Sequence, residues 1–152
     1  MYNIDGETMK EVIIYTDGAC SGNPGGGGYA AILMYKGVEK VISGGEKLTT
    51  NNRMELMAVI SGLKALKEPC KVFIVSDSQY VVDAFKKGWI YKWQLNGWKT
   101  SDKKEVKNVD LWEELIKFTK THDIEFIKTE GHADDELNNR CDKLAREESK
   151  KY

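Results

Sequence analysis

Apolar residues recur along this chain in two periods, one typical of strands and one typical of helices. Val12 to Tyr15 is a short β-branched and aromatic run that leads to Asp17 and a glycine-rich loop, which predicts a buried strand. Two further strands, Tyr29 to Tyr35 and Val38 to Lys47, are predicted on either side of a tight Lys36-Gly37 turn. These three strands are expected to form an antiparallel meander.

The first predicted helix begins near Thr49 and carries an apolar stripe at 3.6-residue spacing, formed by Leu56, Val59, Ile60, Leu63 and Leu66. Such a helix supplies the crossover that places the next strand, Val72 to Ser76, parallel to the first. On a helical wheel Glu55 lies beside Leu66, at the margin of the stripe. Its carboxylate is therefore expected to face the sheet rather than open water.

The remaining pattern predicts helices over Gln79 to Lys87 and Val109 to Lys120, a fifth strand over Ile124 to Thr129, and a last helix from Asp134 to Ser149. The fold class is α/β, with a five-stranded mixed sheet and helices on both faces. Its first three strands are expected to be antiparallel, and its fourth and fifth parallel to the first. Residues 1–9 are expected to form a flexible leader, and residues 10–150 a single domain.

Composition narrows the class of protein. Hydrophobic residues make up 41% of the 152-residue chain and charged residues 31%, which is ordinary for a soluble domain. No run approaches the length of a membrane span, and the first residues lack the parts of a signal peptide. Cys20, Cys70 and Cys141 are odd in number and form no C-x-x-C pair, which indicates neither a disulfide framework nor a zinc site. A cytoplasmic location is expected.

Charge is focused in one segment, although the whole chain has a net charge of only −1. Residues 86–107 have a net charge of +5, against −2 for residues 1–85 and −4 for residues 108–152. Trp89, Trp93 and Trp98 alternate with lysines there, which favours a surface ridge that binds nucleic acid. Tryptophans at four-residue spacing are also typical of a core, so that alternative stays open.

Asp17 and Asp77 each follow an apolar run and a hydroxyl residue, and each precedes a small residue. In parallel neighbouring strands about 4.8 Å apart, the two carboxylates would lie side by side at the edge where open α/β sheets bind ligands. Two carboxylates that close repel each other unless a proton or a metal ion lies between them. The pattern therefore predicts a functional pair.

Glu55 and Asp142 can complete a cluster of four acids. Oxygen-only clusters suit Mg²⁺ or Mn²⁺, and two such ions can activate water and stabilise the leaving oxygen in a phosphoryl displacement. Each acid also has a structural alternative: Glu55 in a capping box with Asn52, Asp142 as an exposed helix residue, and the two aspartates as turn residues.

The two histidines lead to different hypotheses. His132 lies in a loop before the last helix, where an imidazole near a metal site can move a proton, although a surface residue is the simpler reading. His122 follows a lysine-rich helix and is interpreted only as a favourable charge at the helix C-terminus.

Several separated motifs resemble the bacterial type 1 ribonuclease H family, in order, over residues 10–148. They are Tyr-Thr-Asp17-Gly, Thr-Thr-Asn-Asn-Arg-Met-Glu55-Leu, Ser-Asp77-Ser-Gln-Tyr-Val, Gly-Trp98-Lys-Thr, Lys-Asn-Val-Asp-Leu-Trp112 and Gly-His132-Ala followed by Asn-Arg-Cys-Asp142. The resemblance implies the ribonuclease H-like fold. It also implies an endonuclease that cuts the RNA strand of an RNA–DNA hybrid and leaves 5′-phosphate and 3′-hydroxyl ends.

The resemblance also implies roles for individual residues. The catalytic acids that bind Mg²⁺ or Mn²⁺, as two ions with substrate present, are Asp17, Glu55, Asp77 and Asp142, and His132 assists proton transfer or product release. Contacts in the minor groove of the hybrid fall to Cys20, Asn23, Asn51, Asn52 and Gln79. Thr50 and Arg53 match a pocket for a phosphate of the DNA strand. The basic handle comprises Trp89, Trp93, Trp98 and Lys99.

The handle departs from the family where Gln94-Leu95-Asn96 replaces a lysine–arginine cluster, which is expected to weaken hybrid binding. A monomer without an obligate protein or membrane partner is expected. Two alternatives remain at this stage, a non-catalytic hybrid-binding module and another metal-dependent nuclease of the same superfamily. The presence of all four acids argues against the first, and the handle together with Asn-Asn-Arg-Met-Glu55 argues against the second.

Overall fold

The computed structural model describes residues 9–130 and 135–152. Its strands are β1 (Lys10–Cys20), β2 (Gly25–Tyr35), β3 (Val38–Thr49), β4 (Cys70–Ser76) and β5 (Asp123–Lys128). Its helices are α1 (Asn51–Lys64), α2 (Gln79–Lys86), α3 (Trp89–Leu95), α4 (Val109–Thr121) and α5 (Glu136–Ser149). Apart from Met9, the predicted leader lies outside the described residues. No described helix is long and apolar enough to cross a bilayer.

The five strands form one sheet in the order β3-β2-β1-β4-β5. β1 pairs antiparallel with β2, as β2 does with β3, whereas β1–β4 and β4–β5 are parallel. This arrangement confirms the predicted mixed sheet. It places β1 beside β4 as far as the Tyr15–Val75 pair.

Helices pack closely against both faces of the sheet. On one face, α1 comes so close to β1 that a Cβ added to Gly62 would lie 2.8 Å from Ile14 Cγ2. On the other face, α5 lies against β2, where a Cβ on Gly28 would lie 2.3 Å from the Ala145 carbonyl oxygen. A side chain at Gly28 could not be accommodated without moving the α5 backbone, and one at Gly62 would require the Ile14 side chain to move. The core lies mainly between the sheet and α1, α2 and α4.

The basic segment contains a helix that the sequence pattern did not predict. α2 ends at Lys86, and Gly88 then adopts a φ of +72° before α3 begins at Trp89. Glycine reaches this left-handed conformation without a Cβ clash, so the chain can stop one helix and start another within three residues. The sequence pattern predicted two helices between the fourth and fifth strands, whereas the structure has three, α2, α3 and α4.

His122 does not carry the helix-terminal charge that its position suggested. The residue is only 6% exposed, and its Nδ1 accepts a hydrogen bond from the Cys70 backbone N–H at 3.1 Å. Burial lowers the pKa of the imidazole, so the neutral ring is favoured. The earlier interpretation failed because β4 begins beside the end of α4 and encloses the ring, which the sequence pattern cannot show.

This arrangement predicts an acid-sensitive contribution to stability from His122. Because the folded-state pKa lies below the ordinary 6.5, the contribution is complete above that pH and is lost as pH falls through the lowered value. His122→Ala should cost about 1–3 kcal/mol at pH 7.5, since it leaves the Cys70 N–H without its acceptor. His122→Asn, which keeps an acceptor but cannot titrate, should be less acid-sensitive than the wild type in urea unfolding. Equal loss of stability in wild type and His122→Asn between pH 7.5 and pH 5 would contradict this account.

Candidate active site

Asp17 and Glu55 meet at one backbone amide. The N–H of Gly18 donates to Asp17 Oδ1 at 2.9 Å and to Glu55 Oε1 at 3.1 Å. A Cβ on Gly18 would lie 2.4 Å from the Glu55 backbone nitrogen and 2.4 Å from the Met54 carbonyl carbon. Glycine therefore permits the contact between β1 and α1 that joins the two acids.

Glu55 is oriented towards the sheet, as its place on the helical wheel predicted. Thr50 is the N-cap of α1, and its hydroxyl accepts from the Arg53 backbone N–H. A capping box between Asn52 and Glu55 is therefore not the arrangement in the structure. Glu55 is only 4% exposed, and its Oε2 is buried without a partner among the described residues.

Asp77 brings the third carboxylate to the same place. The parallel ladder between β1 and β4 ends at the Tyr15–Val75 pair, and β1 continues to Cys20 paired only with β2. The sequence pattern predicted Asp17 at the end of the first strand, but it lies within β1. Where the two strands part, Asp17, Glu55 and Asp77 each present an oxygen, and these oxygens lie within 4.8 Å of one another. These three residues form the acid trio.

Burial and mutual repulsion both disfavour the charged form of the trio. Burial, together with the charge of Asp77, raises the pKa of Asp17 to about 7, although hydrogen bonds to the carboxylate oppose the rise. Burial and then the charge of Asp17 raise the pKa of Glu55 well above its usual value. Burial also raises the pKa of the more exposed Asp77. Burial and repulsion therefore both favour a proton or a cation at this site.

The chemistry of these donors fits a divalent metal ion. All three ligands are carboxylates, which are the donors that hard cations such as Mg²⁺ and Mn²⁺ prefer. The unpartnered Glu55 Oε2 leaves one lone-pair donor available inside the site. A divalent ion would replace the repulsion between the carboxylates with attraction, and Asp17, Glu55 and Asp77 are the residues that would hold it.

Asp142 is not brought into the trio. It lies on α5 with its side chain about half exposed, and its Oδ2 is 2.9 Å from Arg146 Nη2. Its negative charge nevertheless raises the pKa of both Asp17 and Asp77, so it lies near the cluster. The structure thus assembles three of the four predicted acids and leaves the fourth at the rim.

His132 lies outside the described residues, as does Asp134. The neighbouring Asp135 has a structural role, because its carboxylate accepts from the Asn138 N–H at 3.3 Å and from the Thr129 hydroxyl at 2.9 Å. It is the N-cap of α5, where an acceptor side chain stabilises the start of the helix.

Comparison with known proteins decides the family. The RNase H family model matches residues 9–150. Ribonuclease H of Caldicellulosiruptor saccharolyticus is 64% identical over 138 residues, covering 91% of this chain and 95% of the relative. Ribonuclease H of Acetivibrio thermocellus is 62% identical over 143 residues, covering 94% and 97%. This chain belongs to the ribonuclease H family.

Solved ribonuclease H structures share the fold. LC9-RNase H1, described as a type 1 RNase H with the type 2 active-site motif, superposes with a TM-score of 0.83 at 29% identity, covering 94% of this chain and 74% of its own. The PFV RNase H domain gives a TM-score of 0.75 at 28% identity, covering 93% and 96%. The ribonuclease H family consists of metal-dependent nucleases that hydrolyse RNA in RNA–DNA hybrids.

The residues predicted to contact the minor groove lie at the end of β1 (Cys20), in the loop after it (Asn23), and at the start of α1 (Asn51 and Asn52) and of α2 (Gln79). Asn23 Oδ1 accepts from the Asn51 backbone N–H at 3.1 Å, which ties the loop after β1 to the start of α1. The Cys20 thiol donates towards the Thr49 carbonyl at 3.4 Å. Asn23, Asn51, Asn52 and Gln79 are exposed, and Cys20 is half-buried.

Arg53 lies in a polar cluster that the sequence reasoning only partly anticipated. Its guanidinium donates to both Asp110 oxygens, at 3.0 and 2.9 Å, and to Asn108 Oδ1 at 3.2 Å. The predicted phosphate pocket of Thr50 and Arg53 therefore has a third side chain, Asn108. The motif Lys-Asn-Val-Asp at the start of α4 was the available indication, but spacing alone could not place it beside α1.

The predicted tryptophan ridge is only partly exposed. Trp89 is 37% exposed, and Lys87 Nζ lies 5.4 Å from the centre of its ring. Trp93 and Trp98 are half-buried and pack against the core, with Trp93 meeting Trp112 edge-on at 5.6 Å between ring centres. Both readings of the sequence thus describe part of the segment, because these indoles contact the core and keep some surface.

The raised pKa of Asp17 predicts that Asp17→Asn stabilises the metal-free protein. The stability associated with the protonated carboxyl is complete below the ordinary value of 3.8 and is lost as pH rises through about 7. At pH 8 with chelator, Asp17→Asn should therefore be more stable than the wild type by about 1–4 kcal/mol, and the gain should shrink towards pH 4. Thermal and urea unfolding measure this gain, and a variant no more stable than the wild type at pH 8 would contradict the repulsion in the trio.

Proposed function

We propose that this protein hydrolyses the RNA strand of RNA–DNA hybrids by metal-assisted in-line attack of water, leaving 5′-phosphate and 3′-hydroxyl ends. The proposal rests on the acid trio. Its three carboxylates lie close together where β1 and β4 part, although burial and repulsion disfavour their charged forms. Relatives of 62% and 64% identity that are named ribonuclease H support the same activity.

We assign the metal ligands to Asp17, Glu55 and Asp77, with Asp142 as a fourth, and the physiological ion to Mg²⁺, with Mn²⁺ as a substitute. Bound as a pair with substrate, the ions supply a water of lowered pKa and stabilise the charge of the leaving oxygen. Glu55 and Asp17 keep their positions because both accept from the Gly18 N–H. We propose that His132 transfers a proton to the leaving group or assists release of the product.

We assign hybrid recognition to three groups of residues. Exposed amides at Asn23, Asn51, Asn52 and Gln79, with Cys20, can bond to 2′-hydroxyls and base edges in the wide minor groove. We assign a phosphate of the DNA strand to Thr50 and Arg53, with Asn108 beside them, although the Arg53 guanidinium is paired with Asp110 in the hybrid-free protein. The handle, with Trp89, Trp93, Trp98 and Lys99, offers indole faces and positive charge to the same strand.

We also propose that residues 10–150 form one catalytic domain behind a short flexible leader, and that the protein acts as a cytoplasmic monomer without an obligate protein partner. This proposal follows from the resemblance to bacterial type 1 ribonuclease H. Light scattering during size-exclusion chromatography tests the oligomeric state.

Cleavage of a labelled hybrid, beside matched RNA and DNA duplexes, tests the function. With Mg²⁺ only the RNA strand of the hybrid should be cut, and chelator should abolish the reaction. Asp17→Asn should bind the hybrid but not cut it, because it removes a ligand from the trio. Tight hybrid binding without cleavage by the wild type would favour a binding module, and cleavage of all three duplexes would contradict the proposed recognition.

Two tryptophan variants separate binding from packing. Trp89→Ala should weaken hybrid binding and leave the unfolding temperature nearly unchanged, because this indole is exposed beyond the core. Trp93→Ala should weaken binding and also lower unfolding stability by about 1–3 kcal/mol, because it removes the contact with Trp112. Fluorescence anisotropy with labelled hybrid and thermal unfolding give both quantities. An unchanged dissociation constant for Trp89→Ala would remove this residue from the binding surface.

A further inference from the structure

The backbone beside Asp142 is fixed close to the acid trio. The Cys141 thiol is fully buried and donates to the Tyr15 carbonyl oxygen at 3.1 Å. Tyr15 lies two residues before Asp17 on β1, so this bond anchors α5 next to the strand that carries a metal ligand. The backbone of Asp142 is therefore placed at the rim of the trio whichever way its side chain points.

The carboxylate of Asp142 is directed along α5 to Arg146. The two side chains form an ion pair of 2.9 Å across one helical turn, with 46% and 63% of their surfaces exposed. Among residues 9–130 and 135–152, the only group of three or more acidic, histidine or cysteine side chains whose ligand atoms lie within 4.8 Å of one another is Asp17, Glu55 and Asp77. Asp142 is close enough for its charge to act on Asp17 and Asp77, but its Oδ2 is paired with Arg146.

Electrostatics explains this preference in the metal-free protein. A fourth carboxylate turned towards the trio would add a like charge to groups that already repel one another. The guanidinium of Arg146 offers the opposite charge to the same side chain. A divalent ion in the trio would cancel most of that negative charge and offer a coordination position to a further oxygen, so the Asp142 carboxylate would then gain by turning inwards.

We propose that Arg146 is a positioning residue that holds Asp142 away from the acid trio, and that metal binding exchanges this ion pair for a contact between Asp142 and the metal. The proposal rests on the metal site of the proposed function and adds the side chain that competes for one of its ligands. Arg146 is then released with its charge at the rim of a site that must receive a polyanionic strand.

The expected effect is modest, because the competing pair is exposed. Exposed ion pairs across one helical turn are weak, so Arg146 should reduce the fraction of free Asp142, and with it the apparent metal affinity, by about two- to fivefold. The effect should be greatest at low ionic strength and should fade as salt screens the pair.

Mn²⁺ binding to the hybrid-free protein tests the proposal without relying on activity. Arg146→Gln should bind Mn²⁺ about two- to fivefold more tightly than the wild type, measured by electron paramagnetic resonance of free Mn²⁺ or by calorimetry. Arg140→Gln is the matched control, because Arg140 is on the same helix and pairs with Glu39 through bonds of 2.8 and 3.0 Å. This control should bind Mn²⁺ like the wild type.

A double-mutant cycle with Asp142→Asn separates competition from simple charge removal. If Arg146 acts through Asp142, adding Arg146→Gln to Asp142→Asn should leave Mn²⁺ affinity unchanged. An equal tightening in the Asp142→Asn background would mean that Arg146 only repels the ion through space, and would overturn the proposal. Unchanged or weaker Mn²⁺ binding by Arg146→Gln in the otherwise wild-type protein would overturn it as well.

Failure of the proposed function gives a different result. A wild-type protein that binds no Mn²⁺ would contradict the metal site itself, and the proposal with it. A wild-type protein that binds Mn²⁺ but cuts no hybrid would contradict the assigned reaction while the comparison of Arg146→Gln with Arg140→Gln still decides the role of Arg146.

Discussion

The shared hydrogen bond at Gly18 is the interaction on which the site depends. One amide N–H serves Asp17 on β1 and Glu55 on α1, so the first strand and the first helix must meet at this point. Any side chain at Gly18 would collide with the α1 backbone. One polar N–H cannot neutralise two carboxylates, so the fold brings together acids whose charges remain unbalanced until a proton or a cation joins them.

The other elements of the fold hold these unbalanced negative charges close together. β4 runs parallel to β1 only as far as the Tyr15–Val75 pair, and Asp77 follows where the strands have parted. α5 is anchored by the Cys141–Tyr15 contact and brings Asp142 to the rim. Apolar burial in the core between the sheet and α1 offsets this electrostatic cost.

The sequence predicts the sheet and the trio because short-range patterns determine them. Apolar runs ending near Asp17 and Asp77, with one crossover helix between them, leave few arrangements other than neighbouring parallel strands. Glu55 is predictable from the helical wheel for the same reason. Features that depend on contacts between side chains and distant parts of the chain cannot be predicted in this way. Examples are the burial of His122 beside β4, the pairing of Arg53 with Asp110, and the pairing of Asp142 with Arg146 rather than with the trio. The α3 helix was missed because its start depends on the φ of Gly88, not on apolar periodicity.

The most direct test of the metal site is a crystal structure of the protein soaked in Mn²⁺, with anomalous differences measured. We expect an anomalous peak between Asp17, Glu55 and Asp77, with carboxylate oxygens at about 2.0–2.3 Å as expected for a small hard cation. The three carboxylates should otherwise stay where they lie without metal, since the Gly18 N–H and the backbone hold them. Mn²⁺ bound elsewhere, or no peak at saturating Mn²⁺, would contradict the central claim that the fold gathers these acids to hold a metal ion.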